Sequence, residues 1–156
     1  MPDRPDVQSE AIILRAVGHA CAVPLADVSE VMRPLPIEAL AGMPPFVLGL
    51  AMIRGRATPV VELARLLGDE CSPRINRFVT LRAGERFVAL AVESVDGVRA
   101  LDKKSFESMP ALLGSERAEV VASVATLDSQ FLLVLRAARL IPEEHWAGLA
   151  AAEARV

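Results

Sequence analysis

Leu14–Val31, LRAVGHACAVPLADVSEV, lies over Leu81–Val98, LRAGERFVALAVESVDGV, without a gap. Leu14/Leu81, Arg15/Arg82 and Ala16/Ala83 match, followed by Val23/Leu90, Leu25/Val92, Val28/Val95 and Val31/Val98, each pair sixty-seven positions apart. A second echo joins Val60–Leu67, VVELARLL, to Val134–Ile141, VLRAARLI, at a spacing of seventy-four. Alternating aliphatic strands resemble one another by chance. A hairpin, its strands and a terminal Ala-Arg-Leu recurring in order are stronger, and they read as two similar β subdomains of about 60–70 residues. Short strands with Gly- and Pro-marked turns suggest small barrels, which remove exposed sheet edges. Neither half is long enough to hide a large core alone, so the two share one.

Locally, residues 1–10 read as a loose polar tail with two prolines. Ala11–Val17 and Ala20–Leu25 form a hairpin around Gly18-His19. Pro34 and Pro36 interrupt regular structure, so the segment up to Met43 reads as loop. Phe46–Leu48 reads as a turn, Leu50–Ile53 as a strand, Arg54-Gly55 as a turn and Thr58–Glu62 as a strand, before a short helix ended by Gly68. The second half opens with strands Arg77–Arg82 and Phe87–Glu93 around Ala83-Gly84, then a third strand after Asp96-Gly97. The halves are 11–70 and 76–142. Pro142 and two glutamates begin a C-terminal helix over 143–156, with Trp146, Leu149 and Ala150 on its docking face.

Composition limits the chemistry. The chain has 156 residues, 53% hydrophobic but only 4% aromatic, so the core is aliphatic. The Phe46–Ile53 run is far shorter than the ~20 residues of a membrane helix, and MPDRPDVQSE is too polar for a signal peptide, so the protein reads as soluble and cytoplasmic. A net charge of −3 with dispersed Lys and Arg argues against nucleic acid. Cys21 and Cys71 read as two reduced thiols, Cys21 facing inward. The two histidines, His19 and His145, sit in a turn and on the terminal helix, which disfavours a catalytic triad. Gly49–Gly55 lacks the Lys-Ser/Thr of a phosphate loop, and Asp27, Glu30, Glu62, Glu93 and Asp96 are scattered singly. No catalysis, cofactor or metal is expected.

Against this background, MPPFVLGLAMIRGRATPVVELARLLG (Met43–Gly68) resembles the signature of the CheW-like family, the coupling proteins of bacterial chemosensory arrays. Ala22–Val31 resembles its first-half strand and Val-x-Glu-Val element and Val88–Val98 the second-half counterpart, so the resemblance spans about Ala11 to Pro142. It implies two SH3-like five-stranded β-barrel subdomains sharing an apolar core, and a non-catalytic scaffold at receptor arrays, meeting the membrane only through the receptors. The implied partners are the regulatory domain of a CheA-type histidine kinase, itself similar in fold, and the helical-hairpin tip of a chemoreceptor. Carried over by position, Val28, Glu30, Gly49, Arg54, Phe78 and Val98 would meet partners, while Gly55 and Glu62 would be structural. Arg54 would hold the junction of the subdomains by satisfying loop carbonyls or a carboxylate. Three departures stand out: Met52-Ile53 where the family often has Asn-Leu, Glu62 where it has Asp, and a glycine-free VVASVATL. They suggest a divergent member, and the alternative to the coupling reading is an adaptor of a separate chemosensory pathway, such as surface motility or gene regulation, with one interface lost or changed.

Overall fold

The computed structural model describes residues 9–69, 74–101 and 120–154. Its strands are β1 (Ser9–Ala16), β2 (His19–Pro24), β3 (Val28–Met32), β4 (Val47–Ile53), β5 (Arg56–Glu62), β6 (Arg77–Ala83), β7 (Arg86–Val92), β8 (Ser94–Leu101), β9 (Val121–Leu127) and β10 (Gln130–Leu135). Helix α1 (Leu63–Leu66) follows β5, and α2 (Glu143–Ala154) follows β10. They form two five-stranded sheets, ordered β8-β1-β2-β10-β9 and β3-β6-β7-β5-β4. Each sheet takes a hairpin from one half of the sequence and three strands from the other, so the halves interleave.

The internal repeat is the cause of this exchange. Val28 of β3 pairs with Leu81 of β6, and the residues sixty-seven positions away, Val95 of β8 and Leu14 of β1, pair in return. The spacing of seventy-four appears in the parallel pairs, where Val60 meets Ala89 and Val134 meets Ala22. Even the irregularities correspond: register shifts at Val28/Glu30 and Val47/Gly49 recur at Ile13/Leu14 and Val134/Leu135. A bulge adds local twist and bends its strand, which is what a small closed sheet needs.

Three apolar clusters follow. Ala51, Ile53, Val60, Phe78, Ala89 and Ala91 fill the second sheet's concave side. Ala11, Ile13, Ala20, Ala22, Leu101, Ala125, Leu132 and Val134 fill the first. The largest cluster lies between the sheets, where Leu14, Cys21, Val61, Leu81 and Leu90 meet Leu63 of α1 and Trp146, Leu149 and Ala152 of α2. Burial of each large aliphatic side chain contributes roughly 1.5–3 kcal/mol, so this shared layer joins the barrels. Cys21 lies in it, its thiol pushed up to about 12 by burial, so it stays protonated and inert.

Several local expectations change. β1 starts at Ser9, because Ser9 and Glu10 pair with Leu101 and Ala100. The segment read as loop contains β3, a short edge strand whose Ser and Glu lower its β signal while its pairing to β6 supplies the bonds. Val47 and Leu48 belong to β4 and not to a turn, and β8 begins at Ser94, so Asp96-Gly97 lies inside it. On α2, Trp146 and Leu149 are buried as expected, but Ala152 and not Ala150 completes the face. Cys71 lies outside the described residues.

Candidate partner-binding surface

The two ends of the second sheet, β3 and β4, come together through the chain that leaves β3. Glu38 and Leu50 exchange backbone bonds, Glu38 N–H to Leu50 O at 2.8 Å and Leu50 N–H to Glu38 O at 2.9 Å. This approach is possible because residue 49 is glycine: at a φ of 144°, a Cβ there would stand 2.0 Å from the Glu38 carbonyl oxygen. Gly49 is thus buried beneath its neighbour's backbone, and closing the barrel is the role the structure gives it.

At the tip of the β4–β5 hairpin, Arg54 and Gly55 both take positive φ, 54° and 76°. Such a two-residue turn suits Asn-Gly; an arginine in the left-handed region costs about 1–2 kcal/mol. The guanidinium reaches Glu30 on β3, with Nε 3.0 Å from Oε2 and Nη2 2.9 Å from Oε1. The pair lowers the Glu30 carboxyl and raises the Arg54 guanidinium, mainly through these hydrogen bonds. Thr80 of β6 fixes the Glu30 backbone, its hydroxyl accepting from Glu30 N–H and donating to Glu30 O. Among the described residues Arg54 donates to no loop carbonyl. It joins elements of one barrel and does not hold the two subdomains together, the role expected of it. Beside the pair a cavity of about 150 Å³ is lined by Ser29, Ile53, Arg56, Thr58, Thr80 and Phe87, with the Arg56 guanidinium 4.2 Å above the Phe87 ring.

The other expected contact residues divide. Phe78 is fully buried inside the second barrel; its place in a partner groove is therefore corrected to core, where an aromatic ring fills space among three alanines. Val28 is half-buried against the shared core. Val98 is 46% exposed on β8, an edge strand of the first sheet, and so stands in the other barrel from Glu30 and Arg54. Its repeat equivalent Val31, on the edge strand β3, is 41% exposed. Sequence reasoning missed Val31 as a surface residue, although the repeat had already matched it to Val98.

Glu62 is buried at the end of β5, with Oε1 3.0 Å from Arg65 Nε and Oε2 without a hydrogen-bond partner. Its backbone N–H bonds Phe46 O. Burial raises the Glu62 carboxyl more than Arg65 lowers it. A carboxyl that binds its proton more tightly when folded contributes stability below the unfolded pKa and loses it as pH rises through the folded one. Glu62→Gln is therefore expected to gain melting temperature relative to the parent chain between pH 4 and pH 8; a difference that is flat or falls with pH would show that pairing to Arg65 outweighs burial.

Two interleaved β-barrels with a shared core, and an exposed ion pair on a closed barrel rim, define a protein of the small double-barrel class. Residues 10–145 match the CheW-like domain, and the chain belongs to that family of non-catalytic adaptors of chemosensory systems. A curated relative, protein PilI of Pseudomonas aeruginosa, is 32% identical over 68% of this chain, and the match spans 62% of the relative. The probable chemotaxis protein CheW of Rhizobium etli is 22% identical over 86% of this chain and 88% of its own. The crystal structure of scaffolding protein TtCheW from Thermoanaerobacter tengcongensis superposes with a TM-score of 0.75 at 20% identity, covering 85% of this chain and 92% of that one, a likeness of fold. No described helix is long and apolar enough to cross a membrane.

Proposed function

We propose that this chain is a cytoplasmic adaptor at receptor arrays that couples the helical-hairpin tip of a chemoreceptor to the regulatory domain of a CheA-type histidine kinase, with Glu30, Arg54, Val28 and Val98 at its contact surfaces. Arg54 carries the reading. It is 78% exposed in its side chain, it occupies a backbone conformation that another residue would adopt at less cost, and its bond to Glu30, itself 27% exposed, is a surface pair screened by solvent that adds little to folding. Stability gives little reason for such a residue, whereas recognition does. Two of the five guanidinium N–H groups bind Glu30, which leaves three donors on a largely exposed side chain for an acceptor on a partner.

Arg54→Asn separates the two explanations. Asn-Gly suits this turn, so melting temperature is expected to stay level or rise by a few degrees, while binding of the purified kinase regulatory domain, of the receptor hairpin fragment, or of both weakens by at least about tenfold. Full binding by a stable Arg54→Asn protein would remove Arg54 from the surface. The PilI likeness, together with Met52, Glu62 and the glycine-free β9 segment, supports service in an alternative chemosensory pathway with one changed interface.

A further inference from the structure

The approximate two-fold relation between the barrels exposes one place where they differ. On the second barrel, Arg86 at the start of β7 forms an ion pair with Glu143, Nη2 to Oε2 at 2.9 Å, and its guanidinium lies 4.5 Å from the Trp146 ring centroid. From Glu143 the chain continues as α2, which passes beside β5, where Trp146 and Ala150 line one cleft with Ala57. The repeat equivalents of Arg86 and Glu143 are His19 and Asp69, and they too lie side by side, Nε2 to Oδ2 at 3.0 Å, though without hydrogen-bond geometry. The chain therefore arrives at the first barrel in the same way. There it stops being equivalent: only residues 70–76 separate Asp69 from β6, too few for a helix of twelve residues followed by a return to the sheet. The equivalent of Ala57, which lines the cleft beside α2, is Phe131 on β10. It is 73% exposed, the most exposed large apolar side chain among the described residues. Its cross-strand neighbour on the same face, Thr126 of β9, is exposed as well, and Leu133 two residues on leads into the shared core.

We propose that this face of β10, at Phe131 and Thr126, docks an α-helix of a partner, taking the place that α2 takes on the other barrel. The occupant is a helix because the symmetry-related face already carries one, with apolar residues at intervals of three along it. It comes from outside the β3–β8 sequence arms, since the chain segment that would supply it here enters β6 instead. Of the two partners in the proposed function, the hairpin tip is the helical one, so the inference rests on that reading and adds to it a second receptor surface. β10 is separated from the Val98-bearing β8 by β1 and β2 in the same sheet, and the Glu30–Arg54 pair lies on the other sheet.

The test uses the full chain with the purified receptor hairpin fragment and, separately, the kinase regulatory domain. Phe131→Asp replaces an exposed side chain, so melting temperature is expected to stay within a few degrees while affinity for the hairpin falls about tenfold or more and kinase binding is unchanged. Thr126→Lys, on the same face, is expected to weaken the hairpin in the same direction and keeps the proposal testable if the first variant unfolds. Undiminished hairpin binding by both variants overturns the inference and leaves the coupling function standing. Loss of kinase binding instead, or a change only in self-association, overturns it by assigning the face to a different occupant. Failure of the unaltered chain to bind the hairpin overturns the coupling reading and this inference together.

Discussion

Gly49→Ala is expected to be the most damaging single-methyl change in this protein. A methyl group there would sit 2.0 Å from Glu38 O, 2.7 Å from Glu38 C and 2.9 Å from Ala39 Cα, all of them backbone atoms that no rotamer change can move. Relief requires the Glu38 segment to leave β4, which breaks the two reciprocal bonds to Leu50 and reopens the barrel. Overpacking and the positive φ together cost about 3–5 kcal/mol, a large part of the ~5–15 kcal/mol that holds an ordinary domain. In a chain of 156 residues this lowers the melting temperature by about 10–15 °C. Gly42→Ala is the control: its φ is also positive, at 81°, but nothing stands within 4 Å of its added Cβ, so only the backbone strain is felt. Equal melting of the two variants would show that the Glu38–Leu50 closure does not hold the fold.

The repeat made the architecture legible because it records pairing directly. Leu14 matches Leu81 and Val28 matches Val95, and in the folded chain the matched residues pair crosswise, Leu81 with Val28 and Leu14 with Val95. What the alignment could not reveal is which hairpin enters which sheet, since two separate barrels and two interleaved ones share the same local periodicity. VSEVM reads as loop from its residues alone because two of its five residues are polar, and its pairing comes from β6, about fifty residues away. The Glu30–Arg54 pair stayed hidden for a similar reason: twenty-four residues separate its members, and they meet only because Glu38 brings the ends of the sheet together. Phe78 shows the opposite error, in which a position transferred by resemblance proved to point into the barrel.

Opposite pH responses at Glu30 and Glu62 follow from the same closure. Glu30 stands on the rim, where Arg54 lowers its carboxyl, so its contribution to stability is present above the unfolded pKa and is lost as pH falls through the folded one. Glu62 stands inside, where burial raises its carboxyl, and its contribution runs the other way. The rim pair is thus formed at neutral pH, where the proposed partners would meet it.

Val98→Glu is expected to abolish binding of the receptor hairpin while the protein stays folded and still binds the kinase domain. Val98 pairs with Ile12 along β1, β8 ends the first sheet among the described residues, and 46% of the Val98 surface faces solvent. A glutamate there can extend into water, so the substitution costs at most about 1 kcal/mol of stability, against the ~3–5 kcal/mol that a fully buried site would exact. At a docked surface the same carboxylate would be covered without a partner, which costs several kcal/mol and corresponds to at least ~100-fold weaker binding. Arg99, next along β8, already engages Asp128 at 3.3 Å, so it is not idle to neutralise the new charge. The equivalent change on β3, Val31→Glu, separates the two barrels' edges: a receptor that lies across both is lost with either substitution, and one that uses only β8 is lost with Val98→Glu alone. If Val98→Glu unfolds the chain, Val98 belongs to the core; if it folds and binds the hairpin normally, the edge of the first barrel is not the receptor surface.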